Sequence, residues 1–188
     1  MRIGIYGGSF NPPHKMHEFI GFQLLQRKYI DKIIYVPTGD KYNKNGLINS
    51  MHRLKMLEIM TKNYSMMSVS DFEVKSELMY TYQTLDYFKN VYPNDEICFV
   101  CGSDNLIDIK LWKKYKYILD NYKILVIKRN NDDIDNILKE LNSNVIIIDI
   151  NSENISSTEI RNDLKNGKEN LNVTINVLKY IKVNGLYR

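Results

Sequence analysis

Two histidines three residues apart, preceded by a glycine pair and a proline pair, form the first group in this chain with the makings of chemistry: Gly7-Gly8-Ser9-Phe10-Asn11-Pro12-Pro13-His14-Lys15-Met16-His17. The glycines let the backbone turn tightly and approach a ligand with no Cβ atoms between. Pro12 and Pro13 fix φ and keep a helix from starting before them. In a helix starting there, His14 and His17 share one face. Their imidazoles can donate to phosphate oxygens beside the free amides and positive dipole end of the helix, and Lys15 is a further phosphate partner. The pattern is neither a Walker A loop nor G-x-G-x-x-G. On residue chemistry alone three readings stay open: phosphate binding, metal ligation and incidental surface histidines. No H-E-x-x-H pattern or obvious third ligand accompanies the metal reading.

A second group stands near the other end of the chain, Asn154-Ile155-Ser156-Ser157-Thr158-Glu159-Ile160-Arg161. Ser156 with Glu159 three residues later is a capping box, so a helix is expected to begin here. That reading is structural. The functional addition is that hydroxyls at a helix N-terminus, with Arg161 one turn in, make an anion site.

The elements that must position these groups follow from periodicity. Strand-like runs occur at 3–6, 32–36, 66–69, 97–100, 123–127 and 145–148, and amphipathic stretches at 18–28, 51–62, 82–90, 134–141 and 157–165. Strands regularly separated by helices imply βαβ units and a parallel sheet buried on both faces. With right-handed crossovers this is a doubly wound, mostly parallel, Rossmann-like α/β sheet that binds ligands outside the carboxyl ends of its strands. The polar residues 41–49 read as a long loop after the second strand, and 175–186 as a final helix. We expect one domain over 1–188, with a small C-terminal helical portion from about 157 onward.

Composition narrows the class. At 188 residues and 22.2 kDa, with 44% apolar and 26% charged residues, the chain is that of an ordinary globular protein. Its +4 formal charge and pI of about 8.8 are mild, and the charge is spread without long runs, so no nucleic-acid partner is expected. No apolar stretch approaches the roughly 18 residues of a membrane span, and no leader is apparent, so no membrane partner and a cytoplasmic location are expected. Cys98 and Cys101 form C-x-x-C. In a strand, residues three apart point to opposite faces. The pair therefore reads as structural and reduced, and no metal site is expected of it.

The segment 7–17 resembles the signature loop of the HxGH nucleotidyltransferases, whose two histidines are spaced as His14 and His17 are. Ile-Ser-Ser-Thr-Glu-Ile-Arg at 155–161 is similar to that family's second motif. The resemblance implies that Gly7, Gly8, Ser9 and Phe10, with His14 and His17, lie along ATP. It implies that Ile155, Ser156, Ser157 and Thr158 bind triphosphate oxygens while Arg161 clamps the β/γ end. Tyr80-Thr81-Tyr82-Gln83-Thr84, Cys101-Gly102-Ser103-Asp104 and Leu111-Trp112, together with the ending Asn184-Gly185-Leu186-Tyr187, follow the order of the nicotinate-nucleotide adenylyltransferases, so the likeness covers nearly the whole chain.

By that resemblance Gly102 and Asp104 lie along adenosine, Trp112 stacks on a pyridine ring, and Thr81 with Tyr82 lies beside its carboxylate. Asn11, Lys44 and Arg53 would also face the acceptor, Arg53 meeting its phosphate. The implied reaction transfers AMP from ATP to nicotinate mononucleotide, giving deamido-NAD and pyrophosphate, with Mg2+ accompanying ATP. His14, His17 and Arg161 would stabilise charge and Lys44 orient the acceptor. The alternatives are another acceptor (nicotinamide mononucleotide or pantetheine phosphate) or a non-catalytic nucleotide-binding regulator. A homo-oligomer is left open. The chain departs from the family at Met16, where glycine is usual, at Asn11, where many members have Asp, and at 41–44, where Lys-Tyr-Asn-Lys replaces Pro-Pro-His-Lys.

Overall fold

The computed structural model describes residues 1–41, 46–77, 79–128, 134–141, 144–150, 155–168 and 170–188. Six strands, β1 (Arg2–Gly8), β2 (Lys32–Pro37), β3 (Met67–Val69), β4 (Glu96–Gly102), β5 (Lys123–Ile127) and β6 (Val145–Ile148), form one sheet in the order β3-β2-β1-β4-β5-β6. All five pairings are parallel, so the expected doubly wound sheet is wholly rather than mostly parallel. Helices α1 (Lys15–Gln26), α2 (Ser50–Thr61), α3 (Thr81–Val91), α4 (Ser103–Ile107), α5 (Tyr115–Asn121), α6 (Asp135–Glu140), α7 (Ser157–Lys165) and α8 (Ile175–Val183) follow the strands, with a 3-10 turn at Ile109–Leu111. The elements 103–107, 109–111 and 115–121 were not expected from periodicity, because each is too short to establish a helical repeat.

The sheet separates two apolar layers. One packs α1, α2, α7 and α8 on Tyr6, Ile33, Tyr35, Cys98 and Val100. The other packs α3, α4 and α5 on Ile3, Ile5, Val36, Phe99 and Cys101. Strand period sets this alternation, and it sends Cys98 into one layer and Cys101 into the other, as the two-residue repeat demands. Burial pushes the Cys98 thiol up to about 11, so it stays protonated and inert. Ile160 on α7 and Val177, Leu178 and Ile181 on α8 share the layer with β1. The C-terminal helices therefore complete the core around the first strand rather than forming one of their own. Among the described residues no helix is long and apolar enough to cross a membrane.

Candidate active site

β1 lies between β2 and β4, where the strand order reverses, so the loop after it opens into the crevice typical of doubly wound sheets. The tight turn in that loop is not made by glycine. Gly7 and Gly8 complete the strand, and the left-handed residue is Phe10, at φ 47°. Gly8 contributes room instead, since a Cβ there would stand 3.2 Å from the Phe10 ring. Phe10 is buried and packs edge-on against His17 at 4.9 Å and Tyr6 at 5.6 Å. Its apolar burial holds the turn closed in a conformation that is costly for a residue with a side chain.

His14 is the N-cap of α1 and His17 its third residue, with rings stacked at 3.7 Å and 28°. The backbone N–H of His14 donates to Nδ1 of His17 at 3.1 Å. An Nδ1 that accepts carries no proton, so the ring hydrogen of His17 is on Nε2. The Tyr35 hydroxyl donates to the His17 carbonyl at 2.9 Å. It reaches α1 because position 21 is glycine, where a Cβ would fall 2.1 Å from that oxygen. Lys15 is exposed and outside the cleft lining; its amide donates to the Asn172 carbonyl at 2.8 Å.

The second motif meets the first directly. Ser156 caps α7, its Oγ accepting from the Thr158 amide at 3.2 Å; the helix starts where expected, with a simple N-cap in place of the expected capping box with Glu159. Ser157 Oγ donates to the Pro12 carbonyl at 3.1 Å, and Arg161 donates to the Asn11 carbonyl at 2.9 Å and to Thr158 Oγ1 at 3.1 Å. Segments separated by most of the chain thus line one cleft of ≈ 880 Å³. Gly7, Gly8, Ser9, Phe10, His14 and His17 face it from the β1 side, and Ile155, Ser156, Ser157, Thr158 and Arg161 from α7. Gly102, the N-cap of α4, and Asp104 in its first turn line it from β4. Met16 lines the cleft while packing against the apolar layer.

On the other half, Thr81 and Trp112 reach the same cleft, and Trp112 is held edge-on against Phe99 at 5.7 Å. Two of the expected acceptor residues stand outside the lining. Tyr82 does not line the cleft; Tyr80 does, and Tyr82 is turned to stack on Tyr80 and to carry the Lys114 ammonium at 4.4 Å. One residue along a helix start rotates a side chain by about 100°, which spacing alone did not resolve. Arg53 is also absent from the lining: it is fully buried and donates to the carbonyls of Ser9 (2.9 Å), Thr38 (2.6 Å) and Ile48 (3.0 Å). A guanidinium with its donors so engaged supports the loops around it. Asn11 is at the cleft wall, but its amide is bonded to Gly46 and Tyr187. Lys44 lies outside the described residues.

Glu73 is a titratable lining residue that sequence reasoning missed. Its carboxyl accepts from Thr84 Oγ1 at 2.6 Å, and burial pushes it up to about 7 against the pull of Thr84 and Arg53. No motif marks it. Its segment packs closely on the loop after β2, where a side chain at Gly39 would overlap the Glu73 carbonyl.

The family model for cytidylyltransferase-like proteins matches residues 5–163. The chain therefore belongs to the cytidylyltransferase-like family of nucleotidyltransferases. Within that class its relatives share one description. It is 42% identical over 182 residues to a probable nicotinate-nucleotide adenylyltransferase of Fusobacterium nucleatum, covering 94% of this chain and 93% of the relative. Among solved structures it is similar to the nicotinic acid mononucleotide adenylyltransferase of Plasmodium falciparum complexed with NaAD, at TM-score 0.85 and 28% identity, covering 99% of this chain and 97% of that one. The same protein complexed with APC matches at TM-score 0.83 and 27% identity over 99% and 96% of the chains.

Proposed function

We propose that this chain transfers AMP from ATP to nicotinate mononucleotide, forming deamido-NAD and releasing pyrophosphate. The observation that carries the reading is the meeting of the His14–His17 loop and the Arg161 helix start in one cleft that also holds Thr81 and Trp112. The relatives' description and the nucleotides bound in the Plasmodium protein support the choice of substrates.

An acceptor phosphate oxygen attacks the α-phosphorus of ATP, the bond to the β-phosphate oxygen breaks, and pyrophosphate leaves. No protein nucleophile is needed, so catalysis is positioning and stabilisation of charge on phosphoryl oxygens. His17 Nε2–H, His14 and Arg161 are the donors for that charge, Lys44 orients the acceptor, and Trp112 with Thr81 holds its pyridine ring. Among the described residues no group of three or more His, Cys, Asp or Glu is arranged to hold a metal ion. The divalent cation of this reading enters with ATP as the MgATP substrate, held by phosphate and water.

The test is pyrophosphate release over a panel of acceptors and nucleoside triphosphates. ATP with nicotinate mononucleotide is expected to give the highest kcat/KM. Turnover with pantetheine phosphate alone would overturn the acceptor assignment, and ATP binding without release for any acceptor would make the chain a nucleotide sensor.

A further inference from the structure

Tyr187, beyond α8, packs behind the active-site wall and bonds to Asn11, which lines it. α8 ends in a Schellman turn: Leu186 N–H donates to the Ile181 carbonyl at 3.1 Å and Gly185 N–H to the Lys182 carbonyl at 3.2 Å, with Gly185 at φ 60°. Two residues later Tyr187 is also left-handed, at φ 62°, which is sterically disfavoured for a residue with a side chain. The paired left-handed residues turn the phenol inward. Tyr187 is 7% exposed, its ring lies in the apolar layer, and its hydroxyl reaches Asn11 Oδ1 at 2.8 Å across 176 residues of sequence.

Neighbouring groups settle which atom of the Asn11 amide is where. The Gly46 carbonyl can only accept, so it faces Nδ2, at 2.8 Å, and the Ile48 amide can only donate, so it faces Oδ1, at 3.4 Å. The Tyr187 hydroxyl is therefore the donor, and the shorter of the two bonds holding Oδ1. The main-chain carbonyl of the same Asn11 accepts from Arg161. An aspartate at position 11 would offer Gly46 no donor, so the asparagine is the residue that satisfies all of these partners.

We propose that Tyr187 is a positioning residue for the transfer: its hydroxyl orients Asn11, whose carbonyl in turn sets the Arg161 guanidinium against the triphosphate. The proposal rests on the placement of Arg161 at the phosphates given above. Burial holds the phenol well above its ordinary range even beside the Arg53 and Arg161 guanidiniums, so it stays a donor at any pH at which the protein works.

The test is Tyr187→Phe, which keeps the buried ring and removes the one hydroxyl. Three readouts are taken: inorganic pyrophosphate binding by titration calorimetry, kcat/KM for ATP, and KM for the acceptor. Pyrophosphate affinity and kcat/KM for ATP are expected to fall about tenfold, the cost of one mis-set charge-assisted hydrogen bond, while the acceptor KM stays within about twofold. In an Arg161→Ala background the same substitution is expected to cost less than about twofold, because its route is gone. A pyrophosphate affinity unchanged by Tyr187→Phe, or the full loss repeated without Arg161, overturns the proposal. A general loosening of the fold would raise the acceptor KM as well, which also counts against it. Should the parent release pyrophosphate with no acceptor, the functional assignment fails while the calorimetric comparison still decides this one. A parent that does not bind pyrophosphate overturns both.

Discussion

His17 is made into a one-way donor by its own helix start. Because Nδ1 accepts the His14 amide hydrogen, the remaining N–H, on Nε2, has a fixed location and needs no proton uptake to act. Charge-stabilising donors of this kind, removed singly, cost other enzymes about 10²–10³ in kcat. His17→Ala is therefore expected to lower kcat by about 10² or more in a pyrophosphate-release assay, with a smaller change in KM for ATP, since the bond matters most as charge develops. Turnover within a few-fold of the parent would remove the role assigned to it. The deleted imidazole also packs on Phe10, so some loss of thermal stability is expected beside the kinetic one.

Arg53 shows how one side chain ties elements together. Its donors link the loop after β1 (Ser9), the end of β2 (Thr38) and the segment leading into α2 (Ile48), and Asp40 stands 3.6 Å away. Burial draws its proton affinity down and the Asp40 charge works against that; the guanidinium nonetheless remains charged. Arg53→Met would take from three part-buried loop carbonyls, and from Asp40, the guanidinium that they share. The expected cost is about 3–5 kcal/mol in urea unfolding. The exposed pair of Lys55 with Glu58 at 2.9 Å is the contrast, and Lys55→Met should change stability by less than about 1 kcal/mol. Equal effects of the two substitutions would show that Arg53 does not brace the loops. The β1 loop is thus held from below by Arg53, from α7 by Ser157 and Arg161, and from the tail by Tyr187.

For the whole molecule, stability against pH carries the mark of Glu73. Its carboxyl titrates near 7 when folded against 4.5 otherwise. A raised carboxyl pKa means the folded state binds the proton more tightly, so its contribution is present below about 4.5 and is lost as pH rises through about 7. The difference corresponds to about 3 kcal/mol. Glu73→Gln, which keeps an acceptor for Thr84, should therefore match the parent at pH 5 and exceed its unfolding free energy at pH 8. A difference between the two proteins that does not change with pH would refute the shift. Much of this protein was legible in the bare sequence, because local rules govern it. Strand and helix periods are properties of neighbouring residues, so the sheet, the opposed cysteines and the α7 boundaries at Ser157–Lys165 followed directly. The two motifs that meet in the cleft were each contiguous in sequence. What only the tertiary structure decided was the assignment of side chains whose partners are remote. Arg53 went to the loop carbonyls, Tyr80 rather than Tyr82 lined the cleft, Glu73 reached its wall beside Thr84, and Tyr187 closed on Asn11. The physical reason is common to all four: a charged or polar side chain goes where its desolvation is compensated by partners, and those partners come from elements that only the folded sheet brings together.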